Sequence, residues 1–459
     1  MPGQLLTFAG VSRNCMRQII FSLLCIFTLA SCATAHLTAR RFSRTIQREV
    51  TNSAVFQKVF TGFVLVDPVS GKTLADVNGE HYFTPASNTK ILTLYTCLKV
   101  LGDSMPGIVW SQNERSVTLV PVGDPTFLHP LFQTWQPVMA DLLHVPPDQA
   151  IIVDTGNYSI QPLGPGWAWD DVDSDYSAER TGFPMYGNTK RLFAAGSDSL
   201  DIEPGYWKSR LLRSDRGSAD NPMPVRQFRD NTVAYDSALP LDSAFETWLP
   251  VRESAAYLHH LLEDTLHREV SWGTGQDRIG TIRYSCPVDT VYRRMMHQSD
   301  NFIAEQLLLA ASGVRTNFSR LNQDSVIRWM LDSVWNDLPQ RPRWVDGSGL
   351  SRYNLVSPRD LSVVLKKLWD EQPRERLFSL FPAGGISGTI ADLYPGKNGK
   401  PYVFAKTGSM SGVYCLSGFV QTGSGKVLIF SFMHNNFIGS NKPLKSEIQR
   451  ILEFIRDNY

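Results

Sequence analysis

The chain has 459 residues, 42% of them hydrophobic and 19% charged, with a formal net charge of +1. That length buries a sizeable core and leaves room for two or three domains. The near-neutral balance, without basic runs or interleaved aromatics, argues against a nucleic-acid-binding protein, and the lack of a repeat argues against solenoids and fibres.

The first element in chain order is an apolar run, Ile19 to Leu29, behind Arg17. It is too short for a bilayer span, which takes about 20 apolar residues, but it suits a signal-peptide core. Two exits follow. Leu29-Ala30-Ser31-Cys32 resembles the bacterial lipobox and makes Cys32 a lipidation site, whereas Ala33-Thr34-Ala35 fits an ordinary cleavage site. The lipobox is favoured, because a cysteine in that slot has no other evident role. Residues 1–32 then read as a lipoprotein leader and 33–50 as a polar tether. The protein is expected to be exported to the periplasm or cell envelope, with membrane contact through a lipid anchor.

Strands are predicted at Thr61–Asp67 and Thr73–Val77, separated by a Pro-Val-Ser-Gly turn. Apolar residues at Ile91, Leu94, Tyr95, Leu98 and Leu101 predict a helix stopped by Gly102-Asp103. From Met105 to Trp272 the character changes to short strand-like runs, such as Ala150–Val153, between Pro-, Gly- and Asp-rich turns. That stretch reads as an insertion, 105–272, with its own mostly β fold. Helices are predicted at Asp289–Met296, at Asn301–Ala311 closed by Gly313, and through Asp324–Val334. Three strands and a final helix, Lys445–Asp457, end the chain. Strands at both ends around a helical middle predict one antiparallel sheet covered by helices, an α+β fold built from 51–104 and 273–459.

Of the six cysteines, Cys15, Cys25 and Cys32 fall in the leader, and Cys97, Cys286 and Cys415 sit in apolar surroundings as buried thiols. The nine histidines form no metal motif, and His259-His260 reads as a pair on the polar face of a helix. Neither a metal nor a cofactor is expected.

Three short motifs carry the chemistry. In F-T-P-A-S-N-T-K, Ser87 and Lys90 lie three residues apart at a helix start, so the amine can approach the hydroxyl, and the helix dipole favours negative charge there. S-D-N, Ser299-Asp300-Asn301, precedes an amphipathic helix, where it would equally serve as a capping cluster. K-T-G, Lys406-Thr407-Gly408, ends a strand, where a small residue lets a ligand come close. Each is weak alone; a second S-x-N at Ser111–Asn113 reads as chance. In this order and context the three form the set used by β-lactamases and penicillin-binding proteins.

Ser299 follows Ser87 by 212 positions, and Lys406 follows Ser299 by 107. The long first interval resembles the penicillin-binding protein 4-like D-alanyl-D-alanine carboxypeptidase/endopeptidases, with a β-lactamase/transpeptidase-like domain split by an insertion. V-G-D-P-T (Val122–Thr126), G-P-G-W-A-W-D-D (Gly164–Asp171), H-Q-S-D-N-F-I-A-E and D-G-S-G-L-S-R (Asp346–Arg352) carry the resemblance beside the three motifs. It implies Ser87 as nucleophile toward peptidoglycan stem peptides, with β-lactam antibiotics as inhibitors. Lys90 is then the base, Ser299 a proton relay, and Asn301 a ligand of Lys90 and of the substrate. Lys406 is the second cation that depresses Lys90, and the backbone N–H groups of Ser87 and Ser409 form the oxyanion hole. Thr407, Gly408 and Met410 bind substrate. Trp169, Asp171 and Tyr176 of the insertion meet the third peptide residue. The alternatives are a β-lactamase and a non-catalytic peptidoglycan-binding lipoprotein.

Overall fold

The computed structural model describes residues 39–196, 199–214, 223–227, 230–274 and 280–459. The expected leader, with Cys32, lies outside them. The central sheet has five antiparallel strands in the order Val403–Met410, Val413–Gln421, Val427–Asn435, Phe60–Asp67, Lys72–Val77. Chain ends distant in sequence thus meet through the pairing of Phe60–Asp67 with Val427–Asn435. Alternation along these strands feeds two separate cores. Phe63, Leu65, Leu416 and Phe432 face one layer; Cys415, Phe419, Ile429 and Met433 face the other.

The first layer holds the C-terminal helix, Lys442–Asn458, and a helix over 39–51. The latter corrects the expected tether. Phe42, Ile46 and Val50 recur at i, i+4 and i+8, and all three are buried in the core of that layer. The second layer holds Thr89–Val100, Val288–His297, Asn301–Arg315, Pro358–Glu371 and Arg374–Leu380. The helix from Asn301 runs through Gly313 rather than stopping there: a Cβ at Gly313 would meet Leu321 and Phe318 at 2.7 and 2.8 Å, so the glycine serves close packing. The helix expected through Val334 is α-helical over Gln323–Trp329 and ends in a π turn, Met330–Val334. Pro358–Glu371 was not anticipated, although Ser357 and Asp360 form a reciprocal capping box with Pro358 in the first turn.

The inserted segment carries its own core and three sheets. The largest runs Ser271–Gly273, Ala150–Asp154, Ser116–Val120, Ser104–Gln112, Thr281–Pro287. Because Thr281–Pro287 pairs with Ser104–Gln112, this sheet extends past the boundary expected at 272. Two three-stranded sheets and the helices Pro137–Leu143 and Ser254–Leu266 complete it. Cys97, Cys286 and Cys415 are free, buried thiols. No helix among the described residues is long and apolar enough to cross a membrane.

Ile46→Ala tests the helix over 39–51. Ile46 has no exposed surface, so its truncation should cost about 2–4 kcal/mol of unfolding free energy in urea. A freely moving tether would give no change.

Candidate active site

The turn that carries Ser87 is set by contacts from two directions. Pro85 leads into a 3₁₀ turn, Ala86–Asn88, and then the buried helix Thr89–Val100. Ala86 has a left-handed φ of 46°, sparsely populated for a residue with a Cβ. Against it lies Gly349, also left-handed at +83°, where a Cβ would fall 1.9 Å from the Ala86 carbonyl oxygen. On the other side Asn88 Nδ2 donates to the Lys406 carbonyl at 2.9 Å, tying the turn to the edge strand. Ser87 is therefore clamped between the D-G-S-G loop and the K-T-G strand.

Lys90 has no solvent exposure. Its Nζ donates to Ser87 Oγ at 3.1 Å, Asn301 Oδ1 at 2.6 Å and the Ser348 carbonyl at 2.7 Å. Burial lowers its pKa to about 8, while the negative charges of Asp346, Asp300 and Glu305 pull the other way. Lys406 is equally buried, and its Nζ donates to Ser299 Oγ at 2.9 Å and to the Thr407 carbonyl at 2.9 Å. Its pKa falls well below the ordinary range through burial and then through the charge of Lys90. The two buried amines act on each other: burial depresses both, and charge on either one disfavours charge on the other.

Ser299 is held at a left-handed φ of 58°, and Asp300 caps the next helix by accepting from Ile303 N at 3.1 Å. The capping and site readings of S-D-N therefore coexist. One residue caps while its neighbours, Ser299 and Asn301, face the cleft.

That cleft is about 700 Å³, lined by Ser87, Ser299, Asn301, Ser409 and Met410 from the main body. The insertion contributes Asp171 and Tyr176, whose hydroxyl donates to Asp171 Oδ1 at 2.7 Å. The Tyr176 carbonyl accepts from Asn301 Nδ2 at 3.0 Å, fixing the insertion's loop to the S-D-N motif. Thr407 Oγ1 bonds Thr389 Oγ1 at 2.8 Å.

Trp169 and Gly408 differ in their placement. Trp169 is 80% exposed, between the cleft-lining residues Ala168 and Asp170. Gly408 is buried away from the cleft. A Cβ there would lie 2.3 Å from the Pro85 carbonyl oxygen, so the glycine admits the Ser87 turn rather than a ligand. The stray Ser111–Asn113 match lies at a strand end of the inserted sheet, outside the cleft lining. His259 and His260 lie on the polar face of their helix near Glu263, and the His259 Nε2 already meets the Val270 carbonyl at 3.0 Å.

Sequence reasoning assigned no role to Arg352, Asp346, Glu305, Trp167 or Arg180. Arg352 lines the cleft, and its Nη2 donates to the Ser411 carbonyl at 3.1 Å. Arg352, Asp346, Glu305 and Trp167 all fall inside the stretches that carry the family resemblance, so the signal was present but carried no geometry.

Residues 44–457 match the model of the family described as D-Ala-D-Ala carboxypeptidase 3 (S13). The chain is 25% identical over 438 residues to a D-alanyl-D-alanine carboxypeptidase of Actinomadura sp. (strain R39), covering 83% of this chain and 78% of that one. It is 22% identical over 446 residues to a D-alanyl-D-alanine carboxypeptidase of Haemophilus influenzae, covering 87% and 90%. The crystal structure of penicillin-binding protein 4 from H. influenzae superimposes with a TM-score of 0.67 at 20% identity, covering 88% of this chain and 99% of that one.

Gly408→Ala should separate the Lys406 strand from the nucleophile turn. Stability should fall by about 1–3 kcal/mol through overpacking, and reaction at Ser87 should slow by about 100-fold through misplacement. Unfolding and acylation measured on the same sample check both.

Proposed function

The chain belongs to the D-Ala-D-Ala carboxypeptidase 3 (S13) family, and from that premise we propose how its cleft performs the family's reaction. The protein is a penicillin-sensitive serine D-Ala-D-Ala carboxypeptidase acting on peptidoglycan stem peptides, with endopeptidase cleavage of cross-links as the same chemistry on a longer substrate. The observation that carries the assignment of roles is the bond from the buried Lys90 amine to Ser87 Oγ.

In its neutral form Lys90 takes the Ser87 proton as Oγ attacks the carbonyl of the D-Ala-D-Ala bond. A pKa near 8 keeps a useful neutral fraction at physiological pH, without the cost of a fully charged buried amine. The N–H groups of Ser87 and Ser409 stabilise the oxyanion. Ser299, bonded to Lys406, hands a proton to the departing D-Ala nitrogen. Thr407 meets the terminal carboxylate, and the open edge of the Lys406 strand adds the extended peptide as a further strand. Water then releases the acyl group from Ser87. In the same way a β-lactam acylates Ser87. The homologous H. influenzae protein has been crystallised with a β-lactam.

Asp171, steadied by Tyr176, faces the cleft with a carboxylate suited to a free amine on the third stem-peptide residue. Export and a lipid anchor on Cys32 complete the reading and bring the enzyme to its cell-wall substrate.

Intact-protein mass spectrometry after incubation with benzylpenicillin tests the nucleophile. One penicillin should attach to the wild type and none to Ser87→Ala. Rapid loss of penicillin without an adduct would instead indicate a β-lactamase, and neither adduct nor loss a binding protein.

Asp171→Asn should raise KM about tenfold for a peptide with a free amine on its third residue, the worth of one charge-assisted bond. The same substitution should leave the N-acetylated peptide unaffected. Equal losses on both peptides would contradict the role.

A further inference from the structure

Two carboxylates, Asp346 and Glu305, flank Lys90, and each is held by a side chain of the inserted segment. Trp167 Nε1 donates to Asp346 Oδ2 at 2.9 Å. Arg180 Nη1 meets Glu305 Oε2 at 3.3 Å, with side-chain exposures of only 4% and 0%. Arg180 is itself anchored, with Nη2 donating to the Gln161 and Leu163 carbonyls at 3.0 and 2.9 Å, and its guanidinium lies 5.6 Å from the Trp167 ring. The other carboxylate oxygen, Glu305 Oε1, accepts from Ser348 N at 2.8 Å, and the Ser348 carbonyl accepts from Lys90 Nζ. A continuous buried chain, Arg180–Glu305–Ser348–Lys90, therefore links the insertion to the amine beside Ser87.

We infer that Arg180 and Glu305 are positioning residues for the acylation step: Arg180 keeps Glu305 ionised, and Glu305 fixes both the proton affinity of Lys90 and the placement of its Ser348 acceptor. The inference rests on Lys90 being the base. Glu305 is buried beside the like charge of Asp346, which raises its pKa, and Arg180 is the cation that opposes this. Without Arg180, Glu305 loses the cation that favours its charged form, and its pull on Lys90 weakens. The other charges facing Lys90 are Asp346, whose oxygens also accept from Gly349 N, Ser351 N and Asn354 Nδ2; Asp300, paired with Arg294; and Lys406. Their hydrogen-bond partners are residues other than Arg180 and Glu305. The insertion thus does more than face the substrate, because it sets the pH at which the catalytic amine becomes a base.

The experiment is the pH dependence of Ser87 acylation by benzylpenicillin in the full chain. The wild type should show a limb rising with pH and centred near 8, as Lys90 loses its proton. Glu305→Gln removes a charge that favours protonated Lys90, so the limb should move down by about one unit. Arg180→Gln should move it the same way and add nothing in the Glu305→Gln background, as expected for two members of one network. Glu305→Asp and Arg180→Lys, which keep the charges, should retain the wild-type limb. They also keep the test readable if one glutamine variant fails to fold.

Uniformly slower acylation with an unmoved limb in every variant would overturn the inference, leaving the pair as structural props. A limb that moves in Glu305→Gln but not in Arg180→Gln would overturn the part given to Arg180. A wild type that acylates with no rising limb would instead refute Lys90 as the base, which is a failure of the reading beneath.

Discussion

An amine sealed from water must find hydrogen-bond acceptors or lose its proton, and Lys90 is where this fold meets that constraint. Its three acceptors come from three separated parts of the chain: Ser87, Asn301 and Ser348. Each part must therefore be brought to within bonding distance of one nitrogen. The helix Thr89–Val100 supplies the lysine, the helix from Asn301 supplies the amide, and the Asp346–Arg352 loop supplies the carbonyl. The close approach of that loop requires glycine at 349, against Ala86. A second buried lysine, Lys406, closes the site from the sheet edge, and the two amines cannot both be comfortably charged. The carboxylates Asp346, Asp300 and Glu305 favour the charged form of Lys90.

The insertion belongs to this arrangement as much as the sheet does. Its loop at Asp171–Tyr176 is bonded to Asn301 through the Tyr176 carbonyl. Its Trp167 and Arg180 reach the carboxylates beneath Lys90. An insertion placed in the chain between Ser87 and S-D-N therefore packs against both, and its core and the main body share a boundary through the Ser104–Gln112 and Thr281–Pro287 pair.

Much of this was legible in the sequence, for identifiable reasons. The continuous apolar run of Phe60–Asp67 and the helical spacing of Val288–His297 announce themselves through local pattern. The motifs at Ser87, Ser299 and Lys406 were found because their order restricts them far more than their composition. The helix over 39–51 was missed because Phe42, Ile46 and Val50 sit among arginines and polar residues that read as solvated. Gly408 was misread because a glycine at a strand end looks the same whether a ligand or a neighbouring turn comes close. Which charges surround each of the two lysines could not be read either. It depends on where Asp346, Asp300 and Glu305 fall in space, and 40 or more positions separate Asp346 from the other two.

The most direct test of Lys90 as the activating base is a titration of the lysine side chains by NMR in ¹³C-lysine-labelled protein, with Lys90→Arg used to assign the resonance. One lysine signal, absent from the variant, should titrate near pH 8, well below the value of about 10.4 for a free lysine. A Lys90 signal that titrated at the ordinary value would mean an amine charged throughout the physiological range. Such an amine could not take the Ser87 proton, and activation of the nucleophile by Lys90 would be refuted.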